Sequence, residues 1–175
     1  MLAFTAFVYT ESTGNPLLQA IGAEGLSWEG KDARFDLGAL SLFSTVTTSA
    51  SCGAVAVMHD SLMPLSGMVT MVLMQLGEVV FGGVGAGFYG MIVMAVIAVF
   101  IASLMVGRTP EYLGKKFTPN DMKLAALTML TVPFIVLAGT GINLMLPGAL
   151  ESLNNPGAHG LSEILYAWTS AANNN

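Results

Sequence analysis

The chain has 175 residues, 54% of them hydrophobic and only 10% charged, with a mean hydropathy of +0.69 and a formal net charge of −5. Soluble domains carry about 25% charged residues, so this composition excludes an ordinary water-soluble globule and implies a lipid setting. The single cysteine, Cys52, excludes a disulfide framework and a cysteine-based metal site, and nothing in the charge pattern resembles a basic nucleic-acid footprint.

In chain order, residues 1–10 are apolar but lack a charged leader and a small-residue cleavage site. They are too few to cross a bilayer, which takes ~20, and are expected to be the end of a transmembrane helix. Residues 11–36 are polar and glycine-rich, gather Glu11, Glu24, Glu29, Asp32 and Asp36, and are expected to form an outer surface loop. Residues 37–50 make a short apolar helix that cannot cross. It runs into Ser51-Cys52-Gly53 and then the polar Met58-His59-Asp60-Ser61. A short helix followed by a glycine turn and a polar return describes a re-entrant loop over 37–63, which survives at membrane depth only under protein or beside a water-filled cavity.

The apolar run 64–106 carries a single charge, Glu78. As one straight helix it would be about twice the ~30 Å hydrocarbon thickness, so it is expected to break at the glycine cluster 82–87. Residues 107–121, with Arg108, Lys115 and Lys116, are expected to be cytoplasmic by the positive-inside rule. Opposite sides for this loop and the acidic 11–36 loop require an odd number of crossings, which favours one broken span over a hairpin. A span at 122–147, kinked at Pro133, an outer loop at 148–160 and a second short apolar helix at 161–175 complete the chain. Residues 42–52 align without gaps on 165–175, so the expected fold is all-α, built from span–pore loop–span repeats.

The hydroxyl-rich stretch 47–55 is the chemically pointed one. Backbone freed by Gly53 can turn carbonyl oxygens toward a dehydrated cation, as in potassium filters, where carbonyl dipoles replace the hydration shell. A helix aimed at that turn would bring its partial negative end toward the ion.

Several blander readings stand beside this one. Residues 85–90 match G-x-G-x-x-G, but residues 91–107 hold no acidic partner for a ribose, so the pattern is read as a helix break. Arg108 reads as an anchor beside the helix-ending Gly107 and Pro110, with gating as the lesser alternative. Glu78 is read as facing a cavity on an ion path rather than the membrane interface. His59 and His159 are read as solvated loop histidines without metal spacing, the methionines as packing filler, and Cys52 as a small buried packing residue. No arrangement supports a catalytic nucleophile.

The ordered stretches 47–55, 58–62, 77–85, 107–116, 122–127 and 169–175 resemble the potassium-binding subunits (KdpA) of bacterial Kdp-type potassium-transporting ATPases. The resemblance covers essentially the whole chain. It implies a fold akin to the Trk, Ktr and HKT transporters, with this chain as a fragment holding the third repeat and the start of the fourth. It implies that Ser51, Cys52, Gly53 and Ala54 are the third filter strand, and that Asn173, Asn174 and Asn175 lead into the fourth. It further implies an ion path or gate at Glu78, Gly82, Gly83, Gly85 and Arg108. Potassium would be the transported ligand, with no other metal. ATP and Mg2+ would be held only by a catalytic P-type ATPase subunit (KdpB), beside accessory subunits KdpC and KdpF, in the bacterial inner membrane. A passive potassium channel or Trk-like symporter subunit is the alternative, since both use the same filter physics. A truncated product without transport is a third, because the other filter strands are missing and this chain alone is expected not to conduct.

Overall fold

The computed structural model describes residues 1–23, 25–76, 82, 83 and 85–175. They form two compact units, Met1–Gly83 with Asn173–Asn175, and Val84–Ala172.

In the first unit three helices pack on one another: α1 (Leu2–Ser12), α3 (Leu37–Ser49) and α4 (Pro64–Gln75), with the short α2 (Pro16–Ala20) in the connection after α1. Each start has a local cause. Asn15 caps α2 through Leu17 N, and Asp36 caps α3 by accepting from Gly38 N and Ala39 N at 3.0 and 3.3 Å. Pro64 opens α4 at a position where its missing N–H is no loss. Phe7, Leu40, Val57 and Leu62 form the apolar core.

Around that core the helices meet through buried hydroxyls: Thr10, Ser41, Ser44, Thr48, Ser66 and Thr70. Ser41, Ser44 and Thr48 donate to carbonyls one turn back in α3, at 2.6, 2.9 and 2.7 Å, and Thr10 pairs with Ser66 across α1 and α4. Small, internally satisfied polar residues let helices approach closely where burial of apolar surface supplies no drive, as inside a bilayer.

Among the described residues, two helices are long and apolar enough to cross a membrane, and both lie in the second unit: α5 (Ala86–Val106) and α6 (Pro119–Met145). At 1.5 Å per residue, the 21 residues of α5 extend about 30 Å. Gly107 ends α5 in the left-handed region (φ +72°), with Gly107 N and Arg108 N returning to the carbonyls of Leu104 and Ser103. A two-residue turn at Leu113 (φ +50°) and Gly114 (φ +79°) then folds Glu111–Tyr112 onto Lys115–Lys116 as an antiparallel hairpin of type I′ twist.

A capping box between Thr118 and Asp121, with Pro119 at the first position, starts α6 ahead of the expected 122. Pro133 lies inside this continuous helix, and just before it Thr128 and Thr131 hydroxyls donate to the carbonyls of Leu124 and Leu127. The short α7 (Pro147–Glu151) occupies the expected outer loop, and α8 (Ala158–Asn173) begins before the expected 161. Within this unit the Trp168 indole lies directly on Gly139 of α6, where a Cβ would have no room.

Three expectations are corrected. The 11–36 stretch is not uniformly a surface loop: Glu11 sits inside α1 with its side chain fully buried, and so does the side chain of Lys31, because the two form an ion pair. Cys52 is exposed rather than buried, because Ser51 has already turned the chain out of α3. His59 is largely enclosed in a 3-10 turn (His59–Ser61) rather than solvated, and this burial pushes its imidazole pKa down. His159 is exposed, but it stands in the first turn of α8 rather than in a loop.

Candidate functional site

The stretch 47–55 forms a tight turn at the C-terminal end of α3. Ala50 closes the helix through its N–H to the Val46 carbonyl at 2.9 Å, and Ser51 then enters the left-handed region at φ +56°. The turn is tied back on itself. Cys52 N donates to the Thr47 carbonyl at 3.1 Å, and the Thr47 hydroxyl donates to the Ala54 carbonyl at 2.8 Å. Gly53 follows at φ +67°, where a side chain is strained.

Against this turn lies the segment Asn173–Asn175, which belongs to the same unit. The Ser51 hydroxyl donates to the carbonyls of Asn173 and Asn174, both at 3.3 Å. The Asn175 amide accepts from Gly53 N at 3.2 Å and donates to the Thr48 carbonyl at 3.0 Å. Asn174 is itself left-handed, at φ +58°. Ser51 and Asn174 occupy equivalent positions in the aligned stretches 42–52 and 165–175, so both leave their helices by the same backbone move. Asparagine and serine carry polar side chains that stabilise such a turn locally.

Two functional consequences follow from the geometry. The C-terminus of α3, with its partial negative charge, points its last carbonyls toward the turn, an arrangement that favours a cation. Among the described residues, nothing donates a hydrogen bond to the carbonyls of Ser51, Cys52 or Gly53, whereas the Ala54 carbonyl is already engaged by Thr47. The described residues also contain no cluster of three or more His, Cys, Asp or Glu that could hold a metal ion. The oxygens the turn offers are main-chain carbonyls and hydroxyls.

The glycine break is partly in view. α4 ends at Gln75 and α5 begins at Ala86, with Gly82, Gly83 and Gly85 outside any helix. Gly83 backs onto Ser51: a Cβ on it would rest 3.6 Å from that of Ser51. Gly85 caps α5 at φ +85°. Glu78 lies outside the described residues, as does Val84 in the break. Arg108 is exposed at the end of α5, in the second unit.

Two features of the site were not anticipated from sequence. One is the double use of the Asn175 amide; the other is the buried pair of Glu11 and Lys31, whose Nζ and Oε2 stand 2.9 Å apart. A signal for the second was present: Lys31 is one of only two cations, with Arg34, in a stretch otherwise collecting acids, and Arg34 pairs with its neighbour Asp32.

Comparison with known proteins agrees over the whole chain. The family profile described as Potassium-transporting ATPase A subunit (KdpA) matches residues 1–175. A potassium-transporting ATPase potassium-binding subunit from Laribacter hongkongensis is 60% identical over 175 residues, covering 99% of this chain and 31% of the relative. Subunits of the same name from Paracidovorax citrulli and Klebsiella pneumoniae are 56% and 55% identical, covering 100% of this chain and 30% and 32% of their own lengths. The chain thus spans about a third of the curated relatives it matches. A chain matched from end to end at this identity belongs to the KdpA family of potassium-transporting ATPase A subunits.

Proposed function

We propose that this chain is part of the potassium-binding and translocating subunit of a P-type potassium-transporting ATPase in the bacterial inner membrane. One observation carries the reading: two turns of the same left-handed geometry, at Ser51 and Asn174, are clasped together at the end of a short helix by four side-chain hydrogen bonds. Residues 51–54 are then one strand of the selectivity filter and 173–175 the approach to the next.

The mechanism follows from the groups present. An ion shedding water at this turn exchanges hydration oxygens for fixed carbonyl dipoles of Ser51, Cys52 and Gly53. The Thr47 and Ser51 hydroxyls and the Asn175 amide hold the backbone so that the oxygens need not reorganise. The turn carries no carboxylate, which keeps binding weak enough for release onward. The glycine break containing Gly82, Gly83 and Gly85 serves the exit of the ion, with Glu78 as its acidic group, and Arg108 acts in gating or as a cytoplasmic anchor. The broken span 64–106 and α6 cross the bilayer, with residues 107–121 cytoplasmic and residues 11–36 and 148–160 outside. The subunit hydrolyses nothing; ATP and Mg2+ act on a catalytic partner (KdpB), with KdpC and KdpF as accessory subunits.

Reconstituting the full-length subunit with and without its ATPase partner tests this reading. Potassium uptake that requires both partner and ATP is expected. Uptake down a gradient by the subunit alone would point instead to a passive channel.

A further inference from the structure

The buried pair Glu11–Lys31 takes no part in the ion path described above, yet it is placed where the filter turn returns. Lys31 forms an antiparallel bridge with Val57, Met58 N donates to the Gly30 carbonyl at 2.7 Å, and Asp32 N donates to the Ala56 carbonyl at 3.2 Å. Residues 30–32 thus pair with 56–58, the backbone that leaves Gly53 and Ala54. This strap is packed without slack, since a Cβ on Gly30 would stand 2.8 Å from Ser61 Cβ and 2.9 Å from Met58 Cβ.

From the strap, the Lys31 side chain turns inward. Its Nζ lies 2.9 Å from Glu11 Oε2, with the two side chains 1% and 0% exposed. The other carboxylate oxygen, Oε1, accepts from Met63 N at 2.9 Å, at the start of α4. A single carboxylate at the end of α1 therefore ties down the strap and the helix that follows the filter return. Two charges withdrawn from water in this way cost much of what their attraction returns, so such a pair is poor evidence of stability and better evidence of enforced geometry.

We propose that Glu11 and Lys31 are positioning residues for ion selection: the pair holds the strap 30–32, and through it the return strand 56–58, so that the carbonyls of the filter turn keep one spacing. The proposal rests on the filter reading. A turn whose exit strand is loose can adapt to ions of different size, and discrimination falls before transport does.

The test uses the full-length subunit in the assembled transporter. Glu11→Asp keeps the charge but shortens the reach, and the double variant Glu11→Gln with Lys31→Met removes both charges together, so that neither is orphaned. In both, the KM for potassium should rise about tenfold, as a small misplacement of binding groups costs, with a smaller fall in kcat and reduced discrimination against ammonium and sodium. A merely structural pair would lower yield or thermal stability and leave KM and discrimination native. Native KM and discrimination in either variant, or loss of assembled complex in both, overturns the proposal. Gly53→Ala measured in parallel separates the two readings. If it alters KM while the Glu11 variants do not, only the positioning role fails; if it leaves KM and discrimination unchanged, the filter reading itself fails.

Discussion

The main-chain N–H of Gly53 donates to the side-chain oxygen of Asn175 at 3.2 Å, across more than two-thirds of the chain. The same amide reaches the Thr48 carbonyl through its nitrogen at 3.0 Å, so one side chain spans the last turn of α3 and the glycine beyond it. This places Asn175 as a strut between two stretches that the repeat aligns.

Gly53 should accept no side chain. Its φ of +67° costs an ordinary residue about 1 kcal/mol, and a Cβ would meet the Asn175 main chain at 3.2 Å. Gly53→Ala in the full-length subunit is expected to weaken potassium affinity and discrimination against ammonium and sodium. Ion-competition uptake kinetics check this, and native kinetics would remove Gly53 from the ion path.

The glycine break is expected to be required for passage. Gly85 holds φ +85° at the start of α5, and Gly83 lies against Ser51. Replacing both by alanine should favour helix, by about 1 kcal/mol per site, and slow or block transport. Glu78→Gln should alter transport while leaving assembly intact. Normal rate and affinity in both variants would sink the exit-path reading and leave the filter assignment standing.

Gly139 tests the packing of α8 on α6. The Trp168 indole fills the place of a Cβ there, and overpacking of this kind costs about 1–3 kcal/mol. Gly139→Ala should lower the melting temperature of the detergent-solubilised subunit, and adding Trp168→Phe should recover part of it. An unchanged melting temperature in the single variant would contradict the contact.

Asp32 has its pKa lowered from 3.8 to about 2, first by the side-chain hydrogen bonds from Arg34 and then by the Arg34 backbone N–H. A depressed acid contributes above its ordinary value and loses that contribution as pH falls from 3.8 toward 2. Carboxyl NMR titration should give an Asp32 midpoint near 2, moving back toward 3.8 in Arg34→Ala. Because the pair is exposed to solvent, its removal should leave stability at neutral pH nearly unchanged. A midpoint unmoved by Arg34→Ala would show that some other group holds the acid down.

Much of the helical organisation was legible in sequence because its causes are local. Asp36, Pro64 and Gly107 start or stop helices through neighbours a few residues away. The uninterrupted apolar run of 86–106 shows in composition alone. The capping box and the helical turn at 158–160 shifted two helix starts by a few residues, since cap chemistry rather than hydropathy sets those ends.

The sequence by itself determined the apolar class of the chain, its break at the glycine cluster, the hydroxyl-and-glycine turn after α3 and the family to which it belongs. Tertiary structure decided what lies against that turn. No spacing rule joins Gly53 to Asn175, Trp168 to Gly139 or Lys31 to Glu11, because each contact depends on where distant helices pack. Burial followed the same logic: an acid at position 11 reads as solvated until a lysine 20 residues on folds inward to meet it, about the only way a charged side chain stays fully buried.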